Sequence, residues 1–213
     1  MRILEIVALF IMSYILGSVP FSYLIPKLLT GIDIRKFGSG NVGATNATRA
    51  TNLYVGLLCA SCDIGKAILP TLVALMAFGW GYIPLLIGIA AVSGHDHSIF
   101  MKFKGGKGVA ATLGVVFVYS PLTGAIFVVI WLAIVILSQY ASLASLIAMI
   151  FAAASIMVDF PIRTDIIVKI LFLLLAGLVF YQHRENIKRI AKGTESKIDL
   201  FKYAKKRLRR NRK

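Results

Sequence analysis

Long runs of apolar residues, separated by short polar segments, dominate the chain. About 20 apolar residues in a helix cross the hydrocarbon core of a bilayer. The runs therefore predict an all-α integral membrane bundle of about seven transmembrane helices. The predicted spans are Ile3–Ile25, Leu53–Phe78, Tyr82–Phe100, Val109–Tyr119, Leu122–Leu137, Leu143–Val158 and Ile166–Tyr181. Because the fourth is too short to cross alone, we expect it to tilt, to start inside the preceding loop or to be buried among neighbours.

Composition and charge also indicate a membrane protein, with a basic C-terminal segment. The chain is 58% hydrophobic, with a mean hydropathy of +0.82, whereas soluble domains are about 45–50% apolar. The net charge of +15 would suit nucleic acid, a membrane surface or an anionic substrate. More than half of the Lys and Arg residues lie within residues 182–213, directly after an apolar run. We interpret this end as a segment that meets anionic lipid and not as a nucleic-acid module. The predicted organisation is a membrane domain over residues 1–190 and a basic cytoplasmic tail over residues 191–213.

Basic residues in short loops mark the cytoplasmic side of a membrane protein. The loop from Lys27 to Arg49, the loop from Lys102 to Lys107 and the basic tail all fall on one face if the spans alternate. The N-terminus is therefore predicted outside and the C-terminus in the cytoplasm.

The first cytoplasmic loop contains Gly-Ser-Gly-Asn-Val-Gly-Ala-Thr-Asn-Ala-Thr-Arg, residues 38–49. Its glycines permit close approach. Its hydroxyl and amide side chains, grouped near Arg49, suit recognition of a phosphate and a polyol. The alternative is a polar turn that caps the second span, with Thr45 or Asn46 as the N-cap.

The second loop, Lys-Gly-Gly-Lys-Gly at residues 104–108, runs directly into the predicted helix Val109–Tyr119. Consecutive glycines leave backbone N–H groups free to face a ligand, and a helix N-terminus adds positive potential. With Lys104 and Lys107, the pattern predicts a phosphate-binding nest. It lacks the spacing and the Ser or Thr of a Walker A loop. The alternative is a flexible turn whose lysines only mark the cytoplasmic side.

The third segment, His183-Arg184-Glu185-Asn186, lies at the inner end of the last span. His183 and Asn186 are three residues apart and share a helical face. A lone histidine at a membrane interface is often only an interfacial residue, but two other candidate anion sites lie on the same predicted side.

Other polar residues lie within the spans. Asp63 and Lys66, three apart, form either a structural ion pair, which we favour, or part of the pocket. Ser142 and Ser145 either face the site or bond to their own helix. Three adjacent residues, such as those at 95–97 (His-Asp-His), cannot all converge on one ion, so no metal is predicted.

The three loops resemble the motifs of the acyl-phosphate:glycerol-3-phosphate acyltransferase family, PlsY. The similar stretches are residues 38–49, Gly-His followed by Phe-Lys-Gly-Gly-Lys-Gly-Val-Ala at 94–110, and His-Arg-Glu-Asn-Ile at 183–187. The resemblance covers nearly the whole chain. It implies transfer of a fatty acyl group from acyl phosphate to the 1-position of glycerol 3-phosphate. The products would be lysophosphatidic acid and phosphate, in the first step of phospholipid biosynthesis, with no cofactor.

The resemblance also implies roles for residues of this sequence. Glu185 is expected to be structural, while the residues expected at the active site fall into two groups. The catalytic group is His183, Asn186, Ser39 and Arg49, and the substrate-binding group is Asn41, Thr45, Asn46, Lys104, Gly105, Gly106, Lys107, Ser142 and Ser145. The expected partners are the two substrates, membrane lipid and the enzyme that forms acyl phosphate. The expected location is the bacterial inner membrane, with the active site facing the cytoplasm.

The sequence offers no Ser-His-Asp arrangement and no histidine followed five residues later by Asp. Direct transfer without an acyl-enzyme is therefore predicted, with a substrate phosphate as base and His183 orienting the glycerol. An organic-phosphate transporter is the alternative function, although transporters usually contain internal repeats and none is evident. A structural membrane protein with a lipid-binding tail would leave the three motifs unexplained.

Overall fold

The computed structural model describes residues 2–160 and 165–198. Over these residues the chain is helical and contains no strand, which confirms the all-α prediction. Short 3-10 turns cover Ile34–Lys36 and Ile99–Met101. The α-helices are α1 Arg2–Ser18, α2 Phe21–Thr30, α3 Ala44–Ala50, α4 Leu53–Phe78, α5 Tyr82–Asp96, α6 Val109–Tyr119, α7 Pro121–Ser138, α8 Ala141–Met157, α9 Ile166–Gln182 and α10 Arg184–Ala191. Most of the predicted basic tail, from residue 199 onward, lies outside the described residues.

Apolar helices occur at each predicted span, but not every helix is long enough to cross a membrane. Within the described residues, four helical segments are long and apolar enough to cross a membrane: Arg2–Thr30, α4, Tyr82–Met101 and α7. The pair α9 and α10, bent by 55°, makes a fifth if it counts as one span. Helices α6 and α8 are apolar but shorter. The chain is thus a multi-pass membrane protein, whereas the count of seven spans and the orientation of the termini stay predictions.

The first predicted span, Ile3–Ile25, is two helices. Helix α1 ends at Ser18 and α2 begins at Phe21, because Pro20 has no N–H with which to continue the hydrogen-bonding ladder. The carbonyl of Val19, at the break, accepts a hydrogen bond from Lys66 Nζ at 2.8 Å.

Lys66 also pairs with Asp63 at 2.8 Å, and both side chains are buried. The second carboxylate oxygen of Asp63 accepts a 2.6 Å hydrogen bond from Ser22 Oγ. Ionisable groups at membrane depth are costly unless they are paired. The ion pair favoured from the sequence is confirmed, and it joins α4 to the break between α1 and α2.

Small residues bring the central helices into close contact. Helix α5 packs against both α1 and α4. A Cβ atom at Gly17 would overlap the backbone of Ala91, and one at Gly94 would overlap the carbonyl of Tyr14. Close backbone approach of this kind is typical of helix pairs in membranes. It fixes the carboxyl end of α5, from which the second polar loop departs.

The outer surface of the bundle is strongly apolar. Ile3, Met76 and Leu137 are each about 80% exposed, at 79%, 80% and 82%. The buried core is apolar as well and includes Leu85, Val115 and Phe172. An apolar surface of this extent matches lipid, not water.

Candidate active site

Asn46 organises the first polar loop. Its buried side-chain amide donates to the backbone carbonyls of Ile34, Phe37 and Asn41 at 2.8–3.1 Å. Its Oδ1 accepts a hydrogen bond from the backbone N–H of Ser39 at 3.2 Å. The loop is thus folded around this amide, which leaves Ser39 exposed and Asn41 partly exposed. A direct bond between Asn46 and a substrate stays a prediction.

Thr45 and Asn46 lie in the first turn of α3, after the backbone of Gly43 as N-cap. Neither caps α4, the second predicted span. That cap is Asn52, whose Oδ1 accepts from the backbone N–H of Val55. The predicted N-cap role of Thr45 or Asn46 for that span is therefore wrong, because the short helix α3 intervenes.

The second polar loop packs directly on the carboxyl end of α5. The N–H of Gly105 donates to Asp96 O at 3.0 Å, and the N–H of Gly106 donates to His95 O at 2.9 Å. The prediction that these two N–H groups are free to face a ligand is therefore wrong. The glycines serve close packing instead, because a Cβ atom at Gly106 would overlap the His95 imidazole.

Lys107 connects the second polar loop to the third segment. Its Nζ donates a hydrogen bond to Asn186 Oδ1. Burial lowers the pKa of Lys107 to about 8, with further lowering by Arg189 and Arg49 and an opposing effect from Glu195. The predicted loop lysine and the predicted asparagine thus share one site.

Glu195 lies at the centre of that site, although the sequence analysis assigned it no role. Its buried carboxylate accepts hydrogen bonds from Ser142 Oγ at 2.9 Å, Asn186 Nδ2 at 2.6 Å and Arg189 Nε at 2.8 Å. Burial raises the pKa of this carboxyl, but the three donors hold it below its ordinary value. The only sequence signal was an acidic residue inside a strongly basic segment.

Glu185 is exposed and pairs with Lys188 at 3.0 Å one turn along α10, and its expected structural role stays a prediction. Exposed pairs of this kind contribute little to stability. Between Glu185 and Glu195, the two acidic residues described in this part of the chain, it is Glu195 that joins two helices, α8 and α10.

Residues 193–198 lie against the site and do not extend away as a free tail. Arg49 donates to the carbonyls of Ser196 at 2.9 Å and Lys197 at 3.3 Å. Ile198 is buried against Val135 and Ala144. These contacts pack residues 196–198 on the membrane domain, while the predicted boundary after residue 190 stays a prediction.

His183 follows the last residue of α9 and is buried. Its Nδ1 lies 2.8 Å from the carbonyl of Val179, one turn earlier. Because a carbonyl only accepts, Nδ1 carries the proton, and Nε2 of the neutral ring is the acceptor. The ring is thereby held in one orientation at the same helix bend as Asn186.

The two candidate serines have different surroundings. Ser142 bonds to Glu195 and is part of the site. Ser145 donates to Ala141 O at 2.8 Å and accepts from Trp131 Nε1 at 3.0 Å. Its hydroxyl thus ties α8 to α7, and a contact with substrate stays a prediction.

An open cavity of about 750 Å³ lies beside this hydrogen-bonded group. Its lining includes Ser39 and Asn41 from the first loop, Lys104 and Lys107 from the second, and Arg189 from α10. The Gly105 and Gly106 backbone also lines it. Lys107 and Arg189 therefore border both the cavity and the Glu195 group.

Cations exceed acidic groups in this site. Arg49, Lys107 and Arg189 lie around the carboxylate of Glu195. Lys104 adds positive charge at the cavity wall, which also includes the acidic residues Asp96 and Glu185. Side chains of this kind, with hydroxyl and amide groups nearby, suit phosphorylated ligands. The fold and the site together define a helical integral membrane protein with a cationic site built from three polar segments.

The chain belongs to the glycerol-3-phosphate acyltransferase family, whose model matches residues 7–193. A glycerol-3-phosphate acyltransferase 2 of Thermotoga maritima is 50% identical over 192 residues, covering 90% of this chain and 96% of that protein. A glycerol-3-phosphate acyltransferase 2 of Bacillus cereus is 42% identical over 197 residues, which cover 92% of this chain and 97% of that protein.

Two solved structures are similar to the whole fold. The crystal structure of PlsY (YgiH), an integral membrane glycerol 3-phosphate acyltransferase, in its glycerol 3-phosphate form has a TM-score of 0.86 at 39% identity. The matched region covers 94% of this chain and 98% of the PlsY chain. The lysophosphatidic acid form of the same protein has a TM-score of 0.84, also at 39% identity. The matched region covers 92% of this chain and 97% of that one.

Proposed function

We propose that this protein transfers a fatty acyl group from acyl phosphate to the 1-hydroxyl of glycerol 3-phosphate, and so begins phospholipid synthesis. The observation that carries the proposal is the hydrogen bond from Lys107 to Asn186, because it brings two of the three motifs to one point. Family membership supports the acceptor, and the lysophosphatidic acid form of the similar PlsY structure supports the product.

The half-buried cations bind the phosphate of glycerol 3-phosphate. Lys107, Arg49 and Arg189 interact electrostatically with one another and with Glu195. Three cations against one carboxylate leave an excess positive charge that a phosphate dianion compensates. Ser39, Asn41 and Lys104 are available along the cavity for the second phosphoryl group, that of the donor.

His183 and Asn186 orient the attacking hydroxyl. The neutral ring of His183 presents Nε2 as an acceptor, because Nδ1 is engaged with Val179. The amide of Asn186 is fixed at both ends, by Lys107 at Oδ1 and by Glu195 at Nδ2. Such fixed groups lower the barrier by holding the reactants in the reacting geometry.

The reaction is a direct transfer. The hydroxyl oxygen forms a bond to the acyl carbon, the bond from that carbon to the phosphate oxygen breaks, and phosphate leaves with the electron pair. The hydroxyl proton passes to a phosphate oxygen, whose second pKa is near 6. Lys104, beside the phosphoryl group of the donor, stabilises the charge that develops on the leaving phosphate.

The reaction takes place at the cytoplasmic face of the bacterial inner membrane. The basic residues of the polar loops support this orientation. The acyl chain enters from the bilayer between helices, which agrees with the apolar outer surface. The enzyme that forms acyl phosphate is the expected partner upstream.

The test uses detergent-purified protein with acyl phosphate and radiolabelled glycerol 3-phosphate. We expect lysophosphatidic acid and inorganic phosphate in a 1:1 ratio, above the rate without protein. Absence of both products would contradict the proposal. Uptake of glycerol 3-phosphate into proteoliposomes without acyl phosphate would instead favour the transporter.

A further inference from the structure

His95 supports the second polar loop through both its backbone and its ring. Its carbonyl accepts the N–H of Gly106 at 2.9 Å. A Cβ atom at Gly106 would overlap the Nε2 side of the imidazole, so only a glycine can lie directly on the ring. The residue after Gly106 is Lys107, whose position therefore depends on how the loop lies on His95.

The ring of His95 is itself held from the opposite side. Its Nδ1 lies 3.5 Å from Asp63 Oδ1, and both side chains are buried. Asp63 is in turn fixed by Lys66 at 2.8 Å and by Ser22 at 2.6 Å. A chain of contacts thus runs from α2 and α4, through His95 of α5, to the loop.

This arrangement uses polar groups that the proposed reaction does not need. A buried ionic cluster at membrane depth is costly, and an apolar core would be as stable. We propose that His95, held by Asp63, is a positioning residue that fixes the loop of residues 104–108 and thereby holds Lys107 at the phosphate site. The kinetic test of this inference rests on the proposed function. A second test, the chemical labelling of Lys107, depends only on the geometry of the loop.

The test separates the two halves of the ring. His95→Asn keeps an N–H near the Nδ1 position, towards Asp63, and removes the atoms beneath Gly106. His95→Gln places its amide near the Nε2 position, beneath Gly106. Each change is combined with Gly106→Ala in a double-mutant cycle, which measures whether two residues are coupled.

We expect Gly106→Ala alone to raise the KM for glycerol 3-phosphate about tenfold, because the added Cβ atom would push the loop away from the His95 ring. The KM for acyl phosphate should change less than about twofold. In the His95→Asn background, Gly106→Ala should raise the KM for glycerol 3-phosphate less than about threefold, because the ring atoms that the new Cβ would overlap are absent. In the His95→Gln background the tenfold effect should persist. If Gly106→Ala raised the KM for glycerol 3-phosphate equally in the wild-type, His95→Asn and His95→Gln backgrounds, the proposal would be overturned.

Gly177→Ala is the matched control, because a Cβ atom at this helical position meets nothing within 4 Å. It should leave both KM values unchanged. Gel filtration and thermal unfolding establish that each variant is folded. If His95→Asn does not fold, His95→Ser, which lacks the same ring atoms, takes its place in the cycle.

A second readout needs no turnover. Labelling of Lys107 by an amine-reactive reagent, quantified by mass spectrometry relative to exposed Lys192, reports whether the loop still holds this lysine against Asn186. Gly106→Ala should increase the labelling about threefold in the wild-type background and not in the His95→Asn background. Labelling that responds while acyl transfer is absent would refute the proposed function alone. Labelling that does not respond to Gly106→Ala would refute the positioning role.

Discussion

Lys107 donates a hydrogen bond to Asn186, a residue 79 positions further along the chain. This bond joins the glycine-rich loop after α5 to the first turn of α10. Asn186 also donates to Glu195, so one amide connects a cation and an anion within the site.

Removal of the Lys107 charge should abolish most activity. We expect Lys107→Met to lower kcat/KM for glycerol 3-phosphate about 100-fold or more, because a half-buried cation at a phosphate site contributes about 3 kcal/mol. Steady-state kinetics of the detergent-purified protein measures the effect. Lys192→Met, at an exposed position, is the control. A loss below about threefold would exclude Lys107 from the phosphate site.

The pH dependence of binding should follow Lys107. Its pKa of about 8 lies below the ordinary value of a lysine, because burial disfavours the charged form. The ammonium is therefore present below pH 8 and is lost above it, and the KM for glycerol 3-phosphate should rise about tenfold per pH unit above pH 8. Lys107→Arg should flatten this rise, since a guanidinium stays protonated. The same slope in both proteins would assign the titration to another group.

Removal of His183 or Asn186 should stop turnover. His183→Ala and Asn186→Ala remove the two groups that orient the attacking hydroxyl, and we expect kcat to fall at least about 1,000-fold. Phosphate release measures the rate, and gel filtration checks the fold. Lys188→Ala, on the exposed face of α10, should retain full activity. Full activity in both site variants would remove these residues from the mechanism.

Loss of the Glu195 carboxylate should destabilise the site. Glu195→Ala leaves the buried donors of Ser142 and Asn186 without an acceptor. We expect the Tm in detergent to fall by about 5–10 °C, since the loss of one partner of a buried charged network costs several kcal/mol. Glu185→Ala, which removes only an exposed pair, should leave Tm unchanged. Equal Tm values in the two variants would contradict the role assigned to Glu195.

Direct transfer predicts that no acyl group becomes bound to the protein. Incubation with radiolabelled acyl phosphate, with and without glycerol 3-phosphate, should leave no label on the denatured protein. A labelled protein that passes its acyl group to added glycerol 3-phosphate would establish an acyl-enzyme. Seryl candidates such as Ser39 would then be identified by mass spectrometry of the labelled peptide.

The helices could be predicted closely because hydrophobic periodicity and length are local properties. The predicted spans Leu53–Phe78 and Val109–Tyr119 coincide with α4 and α6. The break at Val19 and Pro20 was missed, because long apolar flanks hide one proline. The candidate residues Lys107, Asn186 and Ser142 were singled out from motifs, and the structure brings them together around Glu195.

What the sequence determined by itself is the class of fold, the family and most of the polar residues of the site, because these depend on composition and on motifs that are contiguous in the chain. The tertiary structure alone decided how those groups are used. The N–H groups of Gly105 and Gly106 are engaged by α5, Asn46 is engaged by its own loop, and Glu195 joins α8 to α10. A hydrogen bond requires a partner at a defined distance, and the partners here lie 9 to 53 residues apart in the chain, so only folding brings them together.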